Sequence, residues 1–197
     1  MIGAQSWDLE GFFLNGSELT MVGGYNFFQG NDNFLSGDIF IDVDGILNPA
    51  NNSGNSSVNT AFGYDYVIDL DFTPNNYRYR VIELTGSVYT QPVYYSQNVL
   101  GNPWAYVSGG TEVSGWQSLN YATGLTNAQT EFLGGNHYAL DVDLGFLSGI
   151  NHKIGLHYTM QCGNDNLMGE YTPVPEPGTF ALLGVGLLGL IAIRRKK

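Results

Sequence analysis

Three Asp-x-Asp pairs have the type and spacing to do chemistry: Asp42/Asp44, Asp69/Asp71 and Asp141/Asp143. Side chains alternate faces along a β-strand, so each pair would present two carboxylates on one side. Hard oxygen clusters of this kind suit calcium. The sequence "DVDG" from Asp42 to Gly45, with Asp38 before it and Asn48 after it, contains part of a calcium loop. It lacks the D-x-D-x-D-G spacing and the distal glutamate of an EF-hand. Calcium at Asp42 and Asp44 is therefore the first metal candidate and Asp141 with Asp143 the second. Solvent-facing strand acids are the ordinary alternative for both.

Acid-base and nucleophilic chemistry find less support. His137, His152 and His157 belong to no H-E-x-x-H motif, and the chain has neither C-x-x-C nor G-x-S-x-G. A glycosidase would want two suitably spaced carboxylates with a glutamic acid as proton donor. "DIFIDVD" offers only aspartates, while Glu83, Glu112 and Glu131 stand apart. No enzyme is expected. Cys162 is the single cysteine, so it can form no intrachain disulfide and reads as a small buried hydrophobe. Trp104, Tyr106 and Trp116, beside Asp and Asn, are the candidate glycan contacts, set against the core role usual for strand aromatics.

The elements that must position these residues are strands. Runs of β-formers bounded by Gly, Asn and Pro predict strands at 7–14, 18–28, 34–43, 64–72, 77–84, 87–95, 104–107, 112–119, 137–147 and 153–162. No segment before Phe180 has a 3.6-residue apolar stripe. The expected fold is an all-β antiparallel sandwich of jelly-roll type, with Asn48 to Thr60 as a polar loop. In "YDYVIDLDF", Tyr64, Tyr66, Ile68, Leu70 and Phe72 should share one face, and "TPNN" should turn the chain into "YRYRVIEL". Setting Phe72 opposite Tyr77 places Asp71 against Arg78, Asp69 against Arg80, Leu70 against Tyr79 and Val67 against Ile82. That register accounts for the only two arginines before the tail, with each opposite-charge pair contributing ~0.2–1 kcal/mol.

Charge divides the chain. Arg78, Arg80 and Lys153 are the only cations before Pro173, against 17 of the 18 acids, which leaves that part at −14. Such a surface repels nucleic acid and anionic lipid and suits solubility outside the cell. The tail, "TPVPEPGTFALLGVGLLGLIAIRRKK" from Thr172, is built differently. Its prolines keep the chain extended. Phe180 to Ile193 is 14 uncharged apolar residues, apolar all round, closed by Arg194, Arg195, Lys196 and Lys197. With Gly178 and Thr179 the run reaches roughly 24 Å as a helix, short of a ~30 Å hydrocarbon core, and the basic block can snorkel to extend it. Cations after the run hold the C-terminus on the cytoplasmic side.

This tail resembles the PEP-CTERM sorting signal of exosortase substrates in Gram-negative bacteria, a segment also labelled an ice-binding-protein C-terminal domain. Val174, Pro175, Glu176 and Pro177 match the box, Phe180 to Ile193 the membrane stretch, and Arg194 to Lys197 the basic cluster. The resemblance covers about one eighth of the chain. It implies an exosortase-type membrane enzyme as partner, inner-membrane transit, and delivery to the cell surface or an exopolysaccharide matrix. The end of the body, where His157, Thr159, Cys162, Gly163, Asn164 and Asp165 form H-x-T-x-x-C-G-N-D, is similar to PEP-CTERM surface proteins and implies no catalytic residue. Such a protein is expected to start with a secretory signal. "MIGAQSWDLEGFF" has no basic n-region, so a start further upstream is expected, with Ala4 to Ser6 near the cleavage point.

The expected organisation is a sandwich ectodomain over 1–169, an extended linker over 170–178, and a single membrane helix with a basic tail over 179–197. The expected function is that of an exported, non-enzymatic surface or matrix protein. The alternative is a glycan-binding, lectin-like sandwich using Trp104 and Trp116, with or without calcium at Asp42 and Asp44. The regularly spaced threonine array that ice binding requires is absent.

Overall fold

A computed structural model describes residues 4–44 and 63–172. The strands are β1 (Leu9–Asn15), β2 (Glu18–Gly23), β3 (Ile39–Asp42), β4 (Tyr66–Asp71), β5 (Arg78–Glu83) and β6 (Tyr89–Gln91), followed by β7 (Ala105–Ser108), β8 (Thr111–Ser118), β9 (Asn120–Leu125), β10 (His137–Asp143), β11 (Ile154–Thr159) and β12 (Asn166–Tyr171). A single α-turn, α1 (Asn127–Thr130), and short 3-10 turns are the helical elements among the described residues. All strand pairing is antiparallel, in sheets ordered β1-β2-β10-β9, β12-β11-β3-β4-β5-β8 and β6-β7.

One apolar core joins the two larger sheets. Leu19 and Met21 of β2 face Val142 and Leu140 of β10 in register, and they meet Ile41, Ile68, Val81, Leu156 and Tyr158 from the six-stranded sheet. Period-2 alternation aims these side chains inward. The β4–β5 hairpin has the register its charges predict: Asp71 opposite Arg78, Asp69 opposite Arg80, Leu70 opposite Tyr79 and Val67 opposite Ile82. The turn closes with the Asn76 N–H on the Thr73 carbonyl at 2.9 Å, and Asn75 takes φ 62°.

Several predicted elements differ. Tyr64 precedes β4 and falls on the face opposite Tyr66, in a second small core with Phe40, Val67 and Ile82. β3 and β11 are buried on both faces, because the segment holding β6 and β7 lies over the outer face of the six-stranded sheet. The predicted strand at 87–95 shortens to Tyr89–Gln91, and the chain then coils through Ser96–Gly101. Neither β9 nor β12 was expected. Both lie at sheet edges, where backbone pairing alone makes a strand and no apolar alternation is needed. Glu170 and Tyr171, assigned from the sequence to the linker over 170–178, are the end of β12. The loop from Asn48 to Thr60 and the whole tail from Pro173 lie outside the described residues.

Candidate functional site

A buried acid, Asp38, ends the loop leading into β3. Its carboxylate accepts the Leu70 N–H at 2.8 Å and the Tyr106 N–H at 2.7 Å. The Asp38 N–H donates to the Trp104 carbonyl at 2.8 Å. One residue therefore clamps β7 to β4 by satisfying a backbone N–H on each. Gly37 makes the approach possible. A Cβ there would run into the Thr159 and Trp104 carbonyls. Burial, followed by the charge of Asp69, pushes the Asp38 carboxyl up to about 8, against the opposing pull of its two backbone N–H bonds and Arg80.

Next to this clamp, Arg80 bonds Asp69 at 2.8 Å and Glu112 at 3.2 Å, and Arg78 bonds Asp71 at 2.8 Å. Both guanidiniums sit over the Trp116 ring, at 4.3 Å for Arg78 and 4.6 Å for Arg80. Hydrogen bonds to Thr73 and Arg78 outweigh desolvation and hold the Asp71 carboxyl below its ordinary value.

On the other sheet His137 and Glu10 form a buried pair, with the imidazole Nδ1 2.8 Å from both carboxylate oxygens. The Gln5 side-chain amide donates to the same carboxylate at 2.8 Å. On the far side of the ring, Nε2 lies 2.9 Å from Asn127 Oδ1, an oxygen that also accepts the Gly135 N–H at 2.8 Å. Side-chain oxygens thus face both ring nitrogens, which fixes the orientation of the imidazole. Glu10 lies at the irregular register step of β1, and His137 at that of β10. Bulges of this kind re-aim side chains, which lets two residues separated by β2 meet.

The residues singled out from the sequence are dispersed. Asp42 is buried and accepts the Asp44 N–H at 3.0 Å in a local turn, while Asp44 is exposed. Asp141 takes the Thr20 hydroxyl at 2.7 Å and Asp143 the Gly145 N–H at 2.9 Å. Among the described residues no group of three or more His, Cys, Asp or Glu could hold a metal ion. Trp104 is buried, with its backbone engaged by Asp38 and Gln91, whereas Trp116 is 40% exposed. His152 reaches the Val43 carbonyl. His157 is fully buried and stacks on Tyr64 at 5.6 Å. Burial drives its pKa down to about 3, so it is neutral. Its ring nitrogens have no partner in good hydrogen-bond geometry. Cys162 is a free thiol in the main core, and burial pushes its pKa up.

Sequence reasoning missed the roles of Glu10, Asp38 and Asp165. The Asp165 carboxylate accepts the first N–H of β1, at Leu9, at 2.8 Å, and its carbonyl takes the Thr159 hydroxyl at 2.6 Å. The H-x-T-x-x-C-G-N-D residues thus work as a buckle between the β11–β12 hairpin and the N-terminal strand. β12 then ends at Tyr171, two residues before a segment that matches a family model. The match spans residues 173–196. The chain carries a PEP-CTERM protein-sorting motif. Comparisons with curated proteins and with solved structures give no match. The PEP-CTERM motif implies processing by an exosortase, a membrane enzyme, and membrane transit toward the cell surface. Among the described residues no helix is long and apolar enough to cross a membrane, and Phe180 to Ile193 lies outside them.

Proposed function

We propose that this protein is an exported, non-enzymatic component of the cell surface or extracellular matrix of a Gram-negative bacterium. Its acidic ectodomain, a β-sandwich of jelly-roll type, is held at the inner membrane by the apolar run Phe180–Ile193. Arg194 to Lys197 remain cytoplasmic until an exosortase-type enzyme acts near Val174–Pro177. The observation that carries this reading is the PEP-CTERM motif at 173–196, placed directly after the last strand of the described fold. Two features support the finer claims. Early strands pair with late ones, β2 with β10 and β3 with β11, as wrapping in a jelly roll requires. The buried acids and histidine Glu10, Asp38 and His137 are engaged in structural hydrogen bonds, which favours a structural role over catalysis.

Fractionation tests the proposal. The full chain should be found at the membrane and, after processing, at the surface or in the matrix with a lower mass. A chain ending before Pro173 should lose membrane retention, and Glu176→Ala should block processing while leaving the membrane-bound precursor. Recovery of the intact chain, tail included, from the cytosol would overturn it.

A further inference from the structure

From Leu84 to Thr111 the chain contains no charged residue, although the protein around it is strongly acidic. This stretch supplies β6, the coil through Ser96–Gly101 and β7, and Asp38 fastens it to the sheet beneath. It also supplies half of the ten large apolar side chains that stand exposed among the described residues: Tyr89, Tyr94, Tyr95, Leu100 and Val107. Uncharged, tyrosine-rich and interspersed with Ser, Asn, Gln and Gly, it has the composition of a recognition surface.

Its centre is braced by ring contacts and hydrogen bonds. Tyr94 is 68% exposed and Tyr95 36%, and their rings meet edge-on at 5.0 Å. Phe34 supports both from behind, at 5.5 Å and 5.6 Å, and itself rests on Trp7 at 6.1 Å. The backbone is pinned by the Tyr94 N–H on the Gln161 carbonyl at 2.8 Å and by the Gln161 N–H on the Leu35 carbonyl at 2.9 Å. The Asn98 amide on the Cys162 carbonyl at 3.2 Å adds a third tie. Exposed Ser96 and Gln97 follow directly in the chain.

We infer that Tyr94 and Tyr95, backed by Phe34, form a stacking platform for the pyranose rings of a neutral polysaccharide. A sugar ring offers an apolar C–H face and a hydroxyl rim. Aromatic faces bury the first, and hydroxyl and amide side chains such as Ser96 and Gln97 bond the second. Charge selects the neutral class. A polyanionic glycan would meet no cation in this segment and would face the repulsion of the −14 body. Size selects a glycan over a protein. At ~150–250 Å² per aromatic side chain, the exposed parts of Tyr94 and Tyr95 offer on the order of 150–250 Å². A stable protein interface needs ~800 Å² on each partner, whereas two or three sugar rings fit the smaller area.

Affinity electrophoresis of the purified full chain in mild detergent tests this independently of the export route. The gels contain dextran, hydroxyethylcellulose, galactomannan or the acidic polysaccharide alginate. At least one neutral polymer should retard the protein, and alginate should not. Tyr94→Ala and Tyr95→Ala should each weaken retardation about tenfold or more, Tyr94→Trp should keep it, and Trp116→Ala should leave it unchanged. Four outcomes overturn the inference: no retardation by any of the three neutral polymers, equal retardation by alginate, alanine variants that migrate like the parent, or loss of binding with Trp116→Ala.

Discussion

Removing His137 should cost more stability than any change on the surface, because it leaves a carboxylate stranded inside the protein. His137 is fully buried and the Glu10 side chain is 2% exposed. In His137→Leu, the carboxylate keeps only the Gln5 amide as a side-chain donor among the described residues. Breaking a buried pair from one side costs about 3–5 kcal/mol. At 2–4 °C per kcal/mol for a domain of this size, the melting temperature should fall by roughly 6–20 °C. The converse variant, Glu10→Leu, should cost about 1–3 kcal/mol, since a neutral imidazole can keep its Nε2–H bond to Asn127.

The decisive measurement is the double variant. Replacing both partners by leucine removes the buried polar pair together and leaves the Gly135 N–H on Asn127 in place. The double variant should recover at least ~2 kcal/mol relative to the sum of the two single losses. Urea unfolding of the full chain in detergent, followed by tryptophan fluorescence and extrapolated linearly, gives each value. Additive losses would mean that Glu10 and His137 do not act as a unit, and the assignment of a coupled pair would fail.

Four further outcomes follow from the outer face and the core. Folding raises the Asp38 pKa from 3.8 to about 8, so the native state binds the extra proton and stability should fall as pH rises from about 4 to 8. Folding lowers the His157 pKa from 6.5 to about 3, so stability should also fall as pH drops through that window. Each slope has a ceiling of ~1.4 kcal/mol per pH unit, and Asp38→Asn and His157→Gln should flatten the alkaline and acid sides respectively in melting curves against pH. Arg80→Met removes the bonds to Asp69 and Glu112 and one cation over Trp116, a half-exposed network worth about 1–2 kcal/mol; Arg80→Lys should not restore it, because an ammonium lacks the planar fork. Finally, Cys162 should resist iodoacetamide in the native protein and react fully in urea, because its thiol is buried with a raised pKa; rapid native labelling would contradict the core placement.

How much was legible in the residues differs from element to element. The β4–β5 register was readable because two arginines had two aspartates to find at matching intervals, and charge pairing left one solution. Cys162 likewise read as a small buried hydrophobe, and it lies in the main core. The edge strands β9 and β12 were not legible, since an edge needs no apolar face. His157 read as an ordinary strand residue, yet it is fully covered, because what lies over it comes from a segment more than fifty residues earlier in the chain.

By itself the sequence carried the sorting motif and the mostly β, antiparallel character of the fold. A proline box, an apolar run and terminal cations act through local composition, and alternation with turn residues is local too. The tertiary structure alone decided which polar groups meet. Glu10 joins His137, Asp38 clasps Tyr106, and Phe34 supports Tyr94 and Tyr95 through contacts between strands and loops far apart in the chain. No local pattern encodes such meetings. They arise when two sheets share one core and a charge-free segment closes over the outer face.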